Sequence, residues 1–107
     1  AVFVMTSDHG EFFNERSQMR VWHGWPTHEN QRVPLIIKAP GQQGRVDIRS
    51  QVRGIDVFPT VLELAGVSYD GPLNGKSLVP LMRGEKEAHR PNLGASHYSG
   101  TKFEWSK

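Results

Sequence analysis

Ala1-Val2-Phe3-Val4-Met5-Thr6-Ser7-Asp8-His9-Gly10-Glu11 decides how this chain is read. The run from Ala1 to Thr6 is apolar and β-rich, the composition of a strand buried on both faces of a parallel sheet. A polar turn follows at once. In open α/β sheets ligands bind in the crevice beyond the carboxyl ends of the strands, so this strand delivers Asp8 and His9 to where a site would be built. A carboxylate beside an imidazole, followed by a glycine that lets the backbone turn tightly, suits two ligands of one divalent cation. The same residues also suit a plain turn that caps the next segment. On the residues alone both readings stand.

Outward from that stretch the elements follow in order. Arg32-Val33-Pro34-Leu35-Ile36-Ile37-Lys38 reads as a second strand, with Pro34 confined to its start or to an edge. Asp56 is placed to cap a helix whose Val57, Val61, Leu64 and Ala65 recur at helical spacing; Pro59 falls in the first turn and Gly66 ends it. Ser77 caps a short second helix over Leu78-Val79-Pro80-Leu81-Met82-Arg83 that stops at Gly84. A third strand is expected around Leu93 to Ser96. Strands interleaved with helices make the class α/β.

Between the first two strands, Trp22-His23-Gly24-Trp25-Pro26-Thr27-His28 is loop, punctuated by Gly and Pro. With a pKa near neutrality, His23 can hydrogen-bond an anionic ester oxygen or protonate a leaving group. On the residues alone the plainer reading of His23 is a surface-loop histidine, and more so of His28. Trp22 and Trp25 read as packing residues, and Arg32 and Lys38 as structural or solvated.

Composition bounds the rest. The chain has 107 residues, of which 36% are hydrophobic and 22% charged, in keeping with one small domain or a piece of one. Thirteen Lys and Arg against eleven Asp and Glu leave a net charge of +2, and the basic residues are scattered, so nucleic-acid binding gains no support. No stretch approaches the roughly 18 apolar residues of a membrane span. The absence of cysteine removes disulfides, thiolate zinc sites and a cysteine nucleophile together. A strand at the first residue and an end without a stop signal lead us to expect an internal fragment.

Four stretches, taken in order, resemble the sulfatase family of the alkaline phosphatase superfamily. They are Thr6-Ser7-Asp8-His9-Gly10-Glu11; His23-Gly24 leading on to Arg32-Val33-Pro34-Leu35-Ile36-Ile37; Ile55-Asp56-Val57-Phe58-Pro59-Thr60-Val61-Leu62-Glu63-Leu64-Ala65-Gly66-Val67; and Asn74-Gly75-Lys76-Ser77-Leu78-Val79-Pro80-Leu81-Met82-Arg83-Gly84. The resemblance implies an alkaline-phosphatase-like α/β/α sandwich with a mostly parallel central sheet, of which residues 1–107 would be the C-terminal portion of the catalytic domain. It implies hydrolysis of sulfate esters. Asp8 and His9 would then be ligands of a divalent cation, calcium in the family, and His23 would bind the sulfate group and assist the leaving alcohol. The third and fourth stretches are fold elements in the family.

The chain also departs from the family pattern. The formylglycine nucleophile, made from Cys or Ser in a Cys/Ser-x-Pro-x-Arg motif, has no counterpart here, nor has the aspartate pair that completes the metal site. Calcium takes about six to eight oxygen ligands, which two adjacent side chains cannot supply. The expectation is a chain inactive alone that requires the remainder of the catalytic domain. A phosphonate or phosphodiester hydrolase of the same superfamily, or a truncated non-catalytic paralogue, are the alternatives. Export or a lysosomal location is implied by the resemblance alone, and His28 is given no ligand role.

Overall fold

A computed structural model describes residues 1–10, 28–92, 94–97 and 103–106. The elements are β1 (Phe3–Thr6), α1 (His28–Gln31), β2 (Leu35–Lys38), a 3-10 turn at Gly54–Asp56, α2 (Val57–Ala65), α3 (Val79–Met82), β3 (Gly94–His97) and β4 (Phe103–Ser106). The chain divides into two compact units, one of Ala1–Phe3 with Ile37–Asn92 and one of Val4–Ile36 with Leu93–Lys107.

β1 and β2 are neighbours in a two-stranded sheet. Both expected strands form, each shortened at its start, and in β2 the ladder begins directly after Pro34, which has no N–H to give it. The expectation that β1 is buried on both faces is corrected. Phe3 is 55% exposed and Met5 also faces solvent, whereas Val2 and Val4 are half-buried. β2 alternates likewise, Leu35 and Ile37 half-buried and Ile36 exposed. This period of two marks strands covered on one face only. The third expected strand appears as β3, paired antiparallel with β4, Gly94 opposite Ser106 and His97 opposite Phe103. β4 was not anticipated.

The first unit is built around α2 and α3. Leu78, Val79 and Leu81 are its buried apolar residues, and Thr60 is wholly buried against them. The Thr60 hydroxyl donates to the Asp56 carbonyl at 2.6 Å and accepts the Leu78 amide at 2.8 Å, stitching the start of α3 to the first turn of α2. The buried face of α2 therefore centres on Pro59 and Thr60; Val57, Val61 and Leu64 are half-buried and Ala65 is exposed. Gly66 ends α2 in the left-handed region at φ 70°, as expected. Ser77 Oγ accepts the Val79 amide at 3.2 Å and also bonds the Glu63 carboxylate. α3 ends at Met82, with Arg83 at its C-cap and Gly84 just beyond it at φ 90°.

Asp56 behaves differently from the helix cap its position suggests. Its side chain makes no cap bond to α2. The fully buried carboxylate instead accepts the Arg53 and Lys76 amides, each at 2.9 Å, and both terminal nitrogens of Arg90, at 3.1 and 2.9 Å. Gly75 makes this possible, because a β-carbon there would run into the Ile55 carbonyl. The Glu87 side chain, 10% exposed, lies beside the same cluster, 3.4 Å from Lys76 Nζ and 3.9 Å from Arg90 Nε. Burial alone would raise the Asp56 pKa, but the Arg90 hydrogen bonds and the two backbone amides outweigh it and hold the carboxyl below its ordinary value. A cavity of about 350 Å³ beside this network is walled by Arg49, Gln51, Leu81, Glu87 and His89 and contains none of the expected site residues.

Candidate metal-binding turn

The turn that leaves β1 is organised by its own short-range hydrogen bonds. Ser7 Oγ donates to the His9 carbonyl at 2.7 Å, and the His9 amide donates to Asp8 Oδ1 at 2.9 Å. His9 Nδ1 lies 2.7 Å from the Gly10 carbonyl oxygen. A carbonyl can only accept, so Nδ1 carries a proton, and the ring nitrogen that offers a lone pair when the ring is neutral is Nε2. That nitrogen is 3.7 Å from Asp8 Oδ1. Side-chain exposure is 87% for Asp8 and 43% for His9.

These observations test whether the residues suit a metal ion. An Nδ1–H bonded to a backbone carbonyl is the outer contact that ligating histidines generally make, since it fixes both the tautomer and the ring direction. Asp8 Oδ1 and His9 Nε2 are close enough together for one ion to bond both. Asp8 and His9 thus fit a divalent cation as two of its ligands. They do not complete a shell: among the described residues no group of three or more His, Cys, Asp or Glu could hold a metal. The imidazole nitrogen also departs from the all-oxygen habit of calcium.

Beyond Asp8 and His9, little of the expected site falls where the structure speaks. His23, together with Trp22 and Trp25, lies outside the described residues. His28 is exposed at the start of α1. One residue the sequence did not single out stands directly against the turn. The Gly10 amide donates to the Asn30 carbonyl in α1 at 2.6 Å, and Asn30 is only 5% exposed. No local signal marks it, because a polar residue in a four-residue helix has no periodicity to betray its burial.

The strand, its Asp-His turn and the α2 and α3 elements give the geometry of the chain, and comparison with known proteins gives its family. The family model described as N-sulphoglucosamine sulphohydrolase, C-terminal, matches residues 22–105, and the chain belongs to the sulfatase family as a C-terminal part. It is 39% identical to arylsulfatase K of Danio rerio over 76% of this chain, and 30% identical to arylsulfatase K of Bos taurus over 97% of it. An extracellular sulfatase SULF-1 homolog of Drosophila melanogaster is 32% identical over 83% of the chain. The chain spans 15%, 22% and 8% of those three proteins, respectively. No solved structure matches. Asp8 and His9 precede the family-model match, but the bovine alignment leaves out so little of the chain that it includes them.

Proposed function

We propose that this chain is the C-terminal portion of the catalytic domain of a sulfuric ester hydrolase, in which Asp8 and His9 hold a divalent cation and His23 serves the leaving group. The observation that carries the reading is the Asp8–His9 pair, with its histidine tautomer set by the Gly10 carbonyl at the end of β1. Family membership supports it. The remainder of the domain would supply the formylglycine nucleophile, the other metal ligands and the further strands of a mostly parallel sheet in an α/β/α sandwich.

When bound, the cation would neutralise charge on the sulfate group. Asp8 contributes a carboxylate oxygen and His9 the Nε2 lone pair. His23 would donate a proton to the alcohol oxygen as the ester bond breaks, so that the leaving group departs as a neutral alcohol. The substrate is a sulfate ester.

The test is turnover of an aryl sulfate and a matched aryl phosphonate by the whole enzyme that contains this chain. Asp8→Ala and His9→Ala should lower kcat/KM for the sulfate by 10²-fold or more, on the order expected for removing a group that stabilises transition-state charge. His23→Ala should weaken turnover most for esters of poorly acidic alcohols. Wild-type turnover in Asp8→Ala, or a preference for the phosphonate, contradicts the proposal.

A further inference from the structure

We propose that the cavity beside α3 binds a small organic oxyanion, a phosphate or carboxylate group carried on a hydroxylated body, with Arg49 pairing the charge. The cavity measures about 350 Å³, and its walls include Arg49, Ser50, Gln51, Leu81, Glu87 and His89. Asp8, His9 and His23 are not among them, so nothing about this site depends on the sulfatase reading. Its frame is tied together from within. Gln51 Nε2 donates to the Arg90 carbonyl at 3.1 Å, joining the wall at 49–51 to the wall at 87–90 across 39 residues of sequence. Arg90 is itself held by both carboxylate oxygens of Asp56, and Leu81, 5% exposed, belongs to the core of this unit. A space of this size, bounded by an apolar residue and a few polar groups, is what a small-molecule ligand fills.

Charge selects the occupant. Both carboxylates of the region are paired and out of solvent. Asp56 is wholly buried between Arg53 and Arg90. Both oxygens of Glu87 are buried, 3.4 Å from Lys76 Nζ and 3.9 Å from Arg90 Nε, so the accessible part of that side chain is its methylene stem. Arg49, in contrast, is exposed and makes no ion pair or hydrogen bond among the described residues. The walls thus offer one uncompensated guanidinium, whose planar fork of donors matches a phosphate or a carboxylate. Ser50 adds a hydroxyl and His89 a ring N–H as further donors. Gln51, with its nitrogen engaged, keeps its side-chain oxygen as an acceptor for a ligand hydroxyl.

Calorimetric titration of the whole enzyme with glycerol 3-phosphate, glycerate, glycerol and inorganic phosphate tests this, with hydrogen exchange in segments 49–51 and 87–90 as the local readout. Glycerol 3-phosphate or glycerate should bind and slow exchange in both segments, and glycerol and inorganic phosphate should bind at least about 10-fold more weakly. Arg49→Gln should weaken binding about 10-fold or more, the scale of a lost hydrogen bond to a charged group. Because Arg49 has no partner in the fold, the same variant should keep the wild-type unfolding temperature and the wild-type kcat/KM for an aryl sulfate. The Asp8→Ala, His9→Ala double variant should bind both probes as wild type does. The proposal is overturned if neither probe binds, if Arg49→Gln binds them undiminished, or if glycerol or inorganic phosphate binds as tightly. Loss of binding in the double variant also overturns it, since the probe would then occupy the metal-binding turn, and that outcome leaves the sulfatase reading intact.

Discussion

Asp8 and Asp56 are the same residue type put to opposite uses. Asp56 has no exposed surface and is saturated with donors from Arg53, Lys76 and Arg90, two of them 20 and 34 residues away in sequence. Asp8 is 87% exposed, and its recorded contacts are with its neighbour His9. A carboxylate surrounded by fixed donors is part of the fold and cannot take a ligand without breaking it. A carboxylate held by its neighbour alone costs the fold little and remains available. The contrast predicts that substitutions at Asp56 act on stability, whereas those at Asp8 act on metal and turnover.

The largest stability effect expected is that of Asp56→Ala. It strands the partly buried Arg90 guanidinium and two backbone amides, and should cost about 3–5 kcal/mol in denaturant unfolding. A cost below 1 kcal/mol would erase the distinction between the two aspartates. Gly75→Ala comes next. Its β-carbon meets the Ile55 carbonyl, so the Lys76 amide is pushed off Asp56, at about 1–3 kcal/mol by thermal unfolding. Ser77→Ala removes the acceptor of the Val79 amide and the bond to Glu63, and about 0.5–1.5 kcal/mol is expected. Asp8→Ala should be the mildest, within about 0.5 kcal/mol of wild type when measured in EDTA.

Acid sharpens the same comparison. The Asp56 carboxyl is held below its ordinary 3.8 in the folded protein. Its contribution is therefore full above the unfolded value, and is lost as pH falls through the lower folded value. Acid unfolding followed by circular dichroism should show this part of the transition below about pH 4, and Asp56→Asn should flatten the pH dependence there.

Local pattern made α2, its Gly66 stop, α3 and the cores of β1 and β2 legible, because each depends on residues adjacent in sequence. The role of Asp56 was misread for the complementary reason. Its short-range position says cap, but its strongest partners, Arg90 and the Lys76 amide, come from distant segments that no local pattern connects. β4 escaped because Phe103-Glu104-Trp105-Ser106 is a strand only by virtue of its register against β3. In the candidate site, Asp8 and His9 were legible as neighbours in a strand-end turn, whereas Asn30 enters through a backbone carbonyl, which every residue possesses.

The central claim is that Asp8 and His9 bind a metal within a sulfatase catalytic domain. Its most direct test is the metal content of the purified whole enzyme by plasma mass spectrometry, wild type against the Asp8→Ala, His9→Ala double variant. The account predicts a stoichiometric divalent ion in wild type and its loss in the double variant, with the unfolding temperature in EDTA preserved. Full retention of the ion by a folded double variant would contradict it.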